Sequence, residues 1–243
     1  MQVNVTGKLL FIALLGFSTF ARAETIAFTS EEYAPFNYRD GRQPRGTSVE
    51  QVQALMADAG IDYTIEFMPW ARAIDRAQTT PMTCIFTTAR NPERENRFKW
   101  VEPLLVDRNI LVAKKGSGVS ARNLEEAKRY VVGTQRGDYT ETMLRENGFS
   151  RLDVASDFKL TLKKLMNDRI DLMPISEMYY EKMRKDGIAV EYVAVLSEQR
   201  LGIACNRDFP DSLITRMQGS LDALIARGEQ QKIYHKYGLQ PAR

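Results

Sequence analysis

The chain has 243 residues, of which 44% are hydrophobic and 27% charged, a composition typical of globular proteins rather than disordered or fibrous ones. Its 34 Lys and Arg exceed its 31 Asp and Glu, but two of the basic residues, Lys8 and Arg22, lie near the N-terminus. The remainder has 32 basic against 31 acidic residues. This near-neutral balance argues against nucleic acid as a partner, because nucleic-acid binding depends on clustered basic side chains.

The N-terminus has the pattern of a cleaved export signal. A positively charged segment ends at Lys8, an apolar run extends from Leu9 to Phe20, and Ala21-Arg22-Ala23 offers small residues for cleavage before Glu24. The twelve residues of the apolar run are too few to cross a hydrocarbon core of roughly 30 Å. We therefore predict a signal peptide at residues 1–23 and a mature protein that is exported.

The segment that follows is predicted to alternate strands and helices around one aromatic loop. A proline and the Asp40-Gly41 turn break regular structure, so Tyr33 to Tyr38 is predicted as a loop. Thr47 and Glu50 have the spacing of a capping box, which predicts the start of a helix that Gly60 ends. The predicted elements are strands at 25–28 and 63–67, a helix at 47–59, and a helix that Pro69 starts with Trp70 in its first turn.

The same alternation continues to the C-terminus and predicts an α/β fold. Strands that alternate with helices of about ten residues are typical of a mostly parallel sheet flanked by helices. Ligands bind at the carboxyl ends of such strands, so functional residues are expected in the loops that follow them. The predicted strands are near 110–113, 130–134, 171–175, 191–195 and 201–205, and the predicted helices are 124–129, 139–147, 158–167, 177–185 and 213–227.

The reactive side chains exclude several classes of site. The only histidine is His235, predicted on the surface of the last helix, and Cys84 and Cys205 are 121 positions apart, so no metal site is predicted. The sequence has no Gly-x-Ser-x-Gly element, phosphate loop or dinucleotide fingerprint, and no cofactor is expected. The two cysteines lie in strand-like segments, and export is compatible either with buried free thiols or with a disulfide.

Arginines beside aromatic residues are the most informative feature of the sequence. They occur in Trp70-Ala71-Arg72-Ala73 and in the segment from Thr87 to Arg94, with Trp100 six residues further on. Guanidinium groups bind carboxylates through paired hydrogen bonds, and aromatic faces pack against apolar or planar parts of ligands. Any single arginine could instead pair with a neighbouring glutamate on the surface.

Several motifs occur in an order that points to one protein family. The first are Tyr33-Ala34-Pro35-Phe36 and the Gly-x-x-x-Glu pattern from Gly46 to Glu50, and the next are Asn91-Pro92-Glu93-Arg94 and Trp100-Val101-Glu102-Pro103-Leu104. Further matching segments are 132–137, 169–172, 201–204 and 228–238. In this order the mature chain resembles family 3 of the bacterial extracellular solute-binding proteins, which have Thr-x-x-Arg, five residues and then Phe-Ser-x-Pro-Tyr at the central motif.

The resemblance implies a two-lobed periplasmic-binding-protein type II fold, in which two hinge crossings join α/β lobes that hold a solute between them. Each lobe is expected to be a mostly parallel sheet flanked by helices. Cys84 and Cys205 would then lie on neighbouring strands of lobe 1, close together, with free thiols favoured over a disulfide. The implied boundaries are 24–103 plus 202–243 for lobe 1, 109–197 for lobe 2, and hinges near 104–108 and 197–201.

The resemblance also implies a solute site in the cleft between the lobes. Arg94 matches the family's carboxylate-binding arginine, and Tyr33 and Trp70 match the aromatic positions that flank the solute. Gly137 and Asp138 match the loop and helix N-terminus of lobe 2, where free backbone N–H groups favour anionic ligand groups. Three more arginines are expected to add positive charge near the same cleft, namely Arg72, Arg90 and Arg136.

Three positions depart from the family pattern. Ser176 stands where the family has an aspartate that holds an amino-acid ammonium, Ser30 replaces an Asp or Asn of lobe 1, and Ala89 replaces a Thr or Ser. Ser176 and its neighbour Glu177 are still predicted to contact the solute. The candidates for the missing negative charge are Glu31, Glu32 and Glu177.

The function implied is that of a monomeric periplasmic protein that captures a small carboxylate-bearing solute, such as an amino acid or a derivative, for an inner-membrane ABC permease. Closure of the lobes would bury this solute from water. The competing hypothesis is an enzyme of the same fold, similar to cyclohexadienyl or arogenate dehydratases, with Glu177 as the acid that protonates the leaving hydroxyl. A third hypothesis is a ligand-sensing subunit of a membrane receptor.

Overall fold

The computed structural model describes residues 25–240, and the signal peptide predicted at residues 1–23 lies outside this range. The strands are β1 (Ile26–Ser30), β2 (Tyr38–Asp40), β3 (Gln43–Arg45), β4 (Tyr63–Phe67), β5 (Thr83–Ala89), β6 (Lys99–Lys114), β7 (Val132–Gln135), β8 (Leu152–Ala155), β9 (Leu172–Ser176) and β10 (Val190–Cys205). The helices are α1 (Thr47–Ala59), α2 (Trp70–Thr79), α3 (Pro92–Glu95), α4 (Leu124–Ala127), α5 (Tyr139–Glu146), α6 (Phe158–Met166), α7 (Glu177–Lys185), α8 (Asp211–Ala226) and α9 (Glu229–Lys236). None of these helices is long and apolar enough to cross a membrane.

Eight strands form one mixed sheet in the order β4-β1-β5-β10-β6-β9-β7-β8. Of its seven neighbouring pairs, four are parallel and three are antiparallel, and every antiparallel pair includes β6 or β10. The segments predicted as strands near 110–113, 191–195 and 201–205 are parts of these two strands, each 16 residues long. The strands are longer than predicted because their main-chain pairing continues through polar residues that interrupt the apolar pattern.

The long pair of β6 and β10 joins two lobes. Lobe 1 contains β4, β1 and β5, and its core packs these strands against α1 and α8. Lobe 2 contains β9, β7 and β8, and alternate residues of its strands enter two cores, one under α6 and α7 and the other under α5. Leu105 lies opposite Leu201, and Asp107 lies opposite Gln199, within the segments predicted as hinges. The lobe boundaries themselves stay a prediction.

The start of α1 differs from the sequence prediction. The capping box expected at Thr47 and Glu50 is wrong, because Gly46 precedes the helix and the Glu50 carboxylate accepts a hydrogen bond from the Tyr237 hydroxyl instead. Gly46 has a φ of 121°, and a Cβ atom there would lie 2.2 Å from the carbonyl oxygen of Phe36. Glycine is therefore required where the aromatic loop packs on the helix.

Cys84 and Cys205 face each other across β5 and β10 and form a disulfide, with their Cα atoms 3.9 Å apart. Both side chains are fully buried in the core of lobe 1. The predicted proximity of the cysteines is confirmed, whereas the preference for free thiols is wrong. The bond spans 121 positions and encloses all the strands of lobe 2 within its loop.

Removal of this disulfide is predicted to destabilise the protein. Bonds that close long loops restrict the unfolded chain, and their loss typically costs about 2–5 kcal/mol. We expect the double variant Cys84→Ala/Cys205→Ala to lose unfolding free energy in that range in urea denaturation. Thiol titration of the denatured, unreduced wild type should detect no free thiol, and two titratable thiols would contradict the bond.

Candidate functional site

A cavity of about 60 Å³ lies between the lobes, near the middle of β6 and β10. Since one water molecule needs about 10–15 Å³ on this scale, the space holds roughly four to six waters and matches a small solute. Its wall combines charged, polar and aromatic side chains from both lobes and from the long strands. They include Glu31, Tyr33, Trp70, Thr87, Arg94, Asn109, Asp138, Tyr139, Phe158, Ser176 and Gln199.

Local structure holds Arg94 in the wall of the cavity. The side chain of Asn91 caps α3 by accepting a hydrogen bond from the Arg94 backbone N–H at 2.9 Å, and Pro92 occupies the first helical position. The Arg94 side chain is buried, and its guanidinium donates to the carbonyl oxygens of Ala89 at 3.4 Å and Gly137 at 3.1 Å. These contacts fix its position without neutralising its charge.

The Arg94 charge has no carboxylate within 4.0 Å among residues 25–240. Its guanidinium carbon lies 5.4 Å from the ring centroid of Trp70 and 5.9 Å from that of Tyr139. Burial lowers the pKa of Arg94, and the more distant charge of Asp138 opposes this effect. A guanidinium has five N–H donors, so this group can bind a carboxylate in addition to its two carbonyl partners.

Gly137 links the two lobes through its carbonyl oxygen. This oxygen accepts hydrogen bonds from Trp70 Nε1 at 2.9 Å and from Arg94. The sequence predicted free N–H groups at this turn, but the Gly137 N–H donates to Glu141, and Asp138 caps the first turn of α5. Acidic side chains already accept hydrogen bonds from these N–H groups, so the turn is not a site for anions. It instead provides the Gly137 carbonyl oxygen as an acceptor for side chains of lobe 1.

Ser176 connects the aromatic loop, β6 and α7. Its backbone N–H donates to the Tyr33 hydroxyl at 3.1 Å, and its own hydroxyl donates to Asp107 and caps α7. The Tyr33 ring packs on that of Phe158, with centroids 4.2 Å apart. Burial raises the pKa of Tyr33 and that of Asp107. Ser176, which stands where the family has an aspartate, therefore has hydrogen-bond partners within the protein.

Glu31 is the buried carboxylate of the cavity. Its residue is 7% exposed, and its Oε2 atom has no hydrogen-bond partner among residues 25–240. Burial holds the pKa of Glu31 well above its usual range, and the charges of Asp138 and Asp157 raise it further. The Phe158 backbone N–H acts in the opposite direction and lowers this pKa. Of the three glutamates considered from the sequence, Glu31 alone lines the cavity.

Two further cavity residues, Thr87 and Asn109, were not singled out from the sequence as site residues. Thr87 is the extra residue of a bulge in β5, where Ile203 pairs with Phe86 and Gly202 with Thr88, and it has a φ of 60°. The Thr87 hydroxyl and the Asn109 Oδ1 atom have no partner among residues 25–240. Strain at a β-branched residue and unpaired polar atoms are features of ligand sites.

Hydrogen bonds fix the orientation of the Asn109 side-chain amide. Asn109 Nδ2 donates to the Tyr139 hydroxyl at 2.9 Å, and this hydroxyl donates to Gln199 Oε1 at 2.9 Å. Burial raises the pKa of Tyr139. No sequence signal identifies these three hydrogen-bonded residues as a group, because they come from β6, α5 and β10.

Five predicted site residues do not line the cavity, namely Arg72, Arg90, Arg136, Gly137 and Glu177. Arg72 and Arg136 are exposed, and the exposed Arg90 forms ion pairs with Glu95 and Glu102. Glu177 accepts two hydrogen bonds from Arg108, at 2.5 and 2.6 Å. The surface pairing considered as the alternative for single arginines is thus observed at Arg90. The structure brings Arg94, Trp70, Tyr33, Asp138 and Ser176 together around the cavity, with the Gly137 carbonyl bonded to two of them.

The sequence profile of the bacterial extracellular solute-binding proteins, family 3, matches residues 25–240. The chain belongs to this family. The family name describes binding proteins that act outside the cytoplasm, which agrees with the resemblance seen in the motifs. Among curated relatives of this solute-binding protein is the arginine-binding extracellular protein ArtP of Bacillus subtilis, 23% identical over 225 residues, which cover 89% of this chain and 86% of the relative.

Solved structures of similar fold include binding proteins and a sensor domain. An ancestral arginine-binding protein bound to arginine has a TM-score of 0.78 and is 20% identical. The match covers 89% of this chain and 98% of the ancestral protein. A histidine kinase sensor domain with similarity to periplasmic binding proteins has a TM-score of 0.80 and 19% identity, covering 91% and 99%. These likenesses confirm the two-lobed fold of this solute-binding protein.

Glu31 is predicted to make stability fall as pH rises. The folded protein holds the Glu31 proton more tightly than the unfolded chain does, so this stabilisation is complete below the ordinary glutamate pKa and is lost as pH rises through the folded-state pKa. Each unit of pKa difference corresponds to about 1.4 kcal/mol. We expect Glu31→Gln to raise the unfolding free energy of ligand-free protein at pH 7 and to lose this advantage near pH 4.

The control for this measurement is Glu32→Gln. Glu32 is the next residue, about half exposed and paired with Arg39, so its neutralisation should change stability by at most about 1 kcal/mol. Chemical denaturation of both variants across the pH range provides the comparison. An unchanged stability of Glu31→Gln at pH 7 would contradict the unfavourable burial of the Glu31 charge.

Proposed function

We propose that this protein is a periplasmic solute-binding protein that captures a small carboxylate-bearing solute between its lobes and delivers it to an ABC-type permease. The observation that carries the proposal is the buried Arg94 guanidinium, which faces the cavity and has no carboxylate partner among residues 25–240. A buried charge without a counterion is costly, and a ligand carboxylate would complete the site through bidentate hydrogen bonds.

The contacts around the cavity support capture by closure of the lobes. Trp70 and Arg94 of lobe 1 bond to the Gly137 carbonyl of lobe 2, and Tyr33 of lobe 1 bonds to Ser176. In this proposal the segments near 104–108 and 197–201 act as hinges between lobe 1 (24–103 plus 202–243) and lobe 2 (109–197). A solute that touches both lobes only when they close would drive the closed state.

The binding role fits this site better than the enzymatic one. The acid proposed for a dehydratase was Glu177, but its carboxylate is paired with Arg108 and does not line the cavity. Incubation with prephenate or arogenate tests this point, and release of a dehydrated product would overturn the binding role. A ligand-sensing subunit could use the same closure, and a pull-down from detergent-solubilised membranes would identify a permease or a receptor as the partner.

Arg94→Ala is predicted to abolish solute binding. Truncation leaves the solute carboxylate buried and unpaired, which should cost about 2–5 kcal/mol of binding free energy. Arg94→Lys should also bind weakly, because an ammonium cannot reproduce the paired hydrogen bonds of a guanidinium. The measurement is calorimetric titration of the solute that co-purifies with the wild type, after its identification by mass spectrometry.

The matched control is Arg90→Ala. Arg90 is exposed and pairs with Glu95 and Glu102, so its removal should cost about 0–1 kcal/mol of stability and leave the affinity unchanged. Melting curves of both variants separate a loss of binding from a loss of folding. Wild-type affinity in Arg94→Ala would remove the residue on which the proposal depends.

Trp70→Phe is predicted to weaken binding modestly. Phenylalanine keeps an aromatic ring but loses the hydrogen bond from Nε1 to the Gly137 carbonyl across the cleft, which is worth about 0.5–1.5 kcal/mol. The control is Trp100→Phe, since the Trp100 Nε1 atom donates to the Glu95 carbonyl within lobe 1. Calorimetric titration of the co-purified solute should find weaker binding for Trp70→Phe and unchanged binding for Trp100→Phe. An equal loss of affinity in both variants would argue against a role of the bond between Trp70 and Gly137 in closure.

A further inference from the structure

Glu31 belongs to lobe 1, but its side chain is buried in the space between the lobes. The residue directly follows β1, and its backbone carbonyl accepts a hydrogen bond from Asn37 Nδ2 at 2.5 Å. The side chain lines the cavity, to whose wall lobe 2 contributes Asp138 and Phe158. Its Oε2 atom has no hydrogen-bond partner within the described part of the chain. The burial of this carboxylate therefore depends on lobe 2 lying against lobe 1.

Two carboxylates of lobe 2 act on Glu31. Asp138 lies between β7 and α5 and caps α5, with its carboxylate accepting a hydrogen bond from the Thr140 backbone N–H at 2.8 Å. Asp157 lies between β8 and α6 and caps α6 through the Leu160 backbone N–H, also at 2.8 Å. The charges of both aspartates raise the pKa of Glu31. Closure thus brings a carboxylate of lobe 1 towards two carboxylates that are fixed on lobe 2.

The basic side chains near this cluster are engaged elsewhere. Arg94 is the one basic residue among those that line the cavity, and the acid that acts most strongly on its charge is Asp138. At the surface of lobe 1, Arg39 pairs with Glu32 at 2.8 Å. Among residues 25–240, Glu31 therefore has no counterion within 4.0 Å.

The other groups that face Glu31 are the Tyr33 hydroxyl and the N-terminus of α6. Burial raises the pKa of Tyr33, so this residue adds no positive charge. The Phe158 backbone N–H, at the start of α6, lowers the pKa of Glu31, as expected near the first turn of a helix. Burial and the two aspartates outweigh this effect, because the pKa of Glu31 stays well above its usual range.

Separation of the lobes removes the causes that disfavour a charge on Glu31. Water then reaches its carboxylate, and Asp138 and Asp157 move away together with lobe 2. Burial and like charges nearby both disfavour the ionised form of a carboxyl group but have little effect on its neutral form. The closed form therefore retains a proton that the open form can release.

We propose that closure of the lobes takes up one proton at Glu31, so that the ligand-free protein closes at low pH and opens as the pH rises. This inference rests on the lobe closure of the proposed function, but it does not depend on the identity of the solute. It gives the protein a control of closure that is separate from the binding of a carboxylate at Arg94.

The direction of the pH dependence follows from linkage. The pKa of Glu31 is higher in the closed form, where the residue is buried, than in the open form, where water reaches it. Below the ordinary glutamate pKa both forms are protonated, and closure is most favourable. As the pH rises from there to the raised pKa of the closed form, the ratio of closed to open molecules falls by up to about tenfold per pH unit.

Trp70 can report closure without a solute. Its ring is 3% exposed, and its Nε1 atom donates to the Gly137 carbonyl of lobe 2 at 2.9 Å, so opening exposes this edge of the ring. The chain has two tryptophans, and the variant Trp100→Phe retains Trp70 alone. The experiment uses this variant as the parent, freed of co-purified solute. It measures acrylamide quenching of Trp70 fluorescence and the radius of gyration by X-ray scattering between about pH 4 and pH 9.

We expect quenching and radius of gyration to increase together as the pH rises. Adding Glu31→Gln should hold both at their low-pH values, because glutamine keeps the size of Glu31 but carries no charge. The only histidine, His235, remains in this variant, so loss of the response excludes it as the source.

Two further variants in the parent serve as controls. Glu32→Gln should respond like the parent, because Glu32 is about half exposed and pairs with Arg39. Asp157→Asn should move the transition to lower pH, because it removes one of the two like charges while asparagine still caps α6. The response of the parent and its shift in Asp157→Asn keep the test decisive even if Glu31→Gln folds poorly.

Three results would overturn the inference. They are a constant signal in the parent from about pH 4 to pH 9, an equal pH response in Glu31→Gln and the parent, and closure that strengthens as the pH rises. None of these readings uses a solute, so they are independent of the titrations of Arg94→Ala. Lost binding in Arg94→Ala without a pH response in the parent would reject proton uptake and retain the proposed function. A pH response with wild-type affinity in Arg94→Ala would do the reverse.

Discussion

Main-chain hydrogen bonding between β6 and β10 joins the lobes, and the geometry of the cleft depends on it. Near its ends the pair is flanked by other strands, with β5 beside residues 201–205 and β9 beside residues 109–113. Between these regions, Leu105 to Arg108 pair only with Glu198 to Leu201. A ribbon of two strands twists more readily than a wide sheet. The narrowest stretch of the sheet therefore lies next to the cavity. Hydrogen bonds between the two strands satisfy the backbone N–H and carbonyl groups there, so the side chains can contribute to the site.

Several polar residues of the cavity wall lower the stability of the protein. Glu31, Thr87 and Asn109 each bury a polar atom that has no partner among residues 25–240, and each such atom typically costs about 1–3 kcal/mol. Thr87 adds a left-handed backbone conformation that β-branched residues rarely adopt. The disulfide, the apolar cores and the two long strands must offset these costs. A bound group that supplied the missing partners would recover part of these costs, which would couple binding to stability.

The sequence identified the features that local chemistry determines. Arg94 was singled out because the local motif Asn91-Pro92-Glu93-Arg94 resembles that of the family, and the alternation of strands and helices predicted the α/β class. The choice among Glu31, Glu32 and Glu177 could not be made, because it depends on Arg39 and Arg108, which lie far from their partners in the chain. The capping box failed for the same reason, since the Glu50 carboxylate binds the C-terminal segment instead of its own helix.

Lobe 1 is assembled from both ends of the chain. Its strand β5 pairs with the last residues of β10, its helix α1 packs against α8, and its disulfide needs Cys205. Lobe 2 is formed by a continuous segment between these parts. Synthesis proceeds from the N-terminus, so all of lobe 2 emerges before lobe 1 can be completed. The residues from Glu31 to Arg94 emerge early but have no finished core to hold them until the final helices arrive, so the ability to bind solute is among the last properties that the chain acquires.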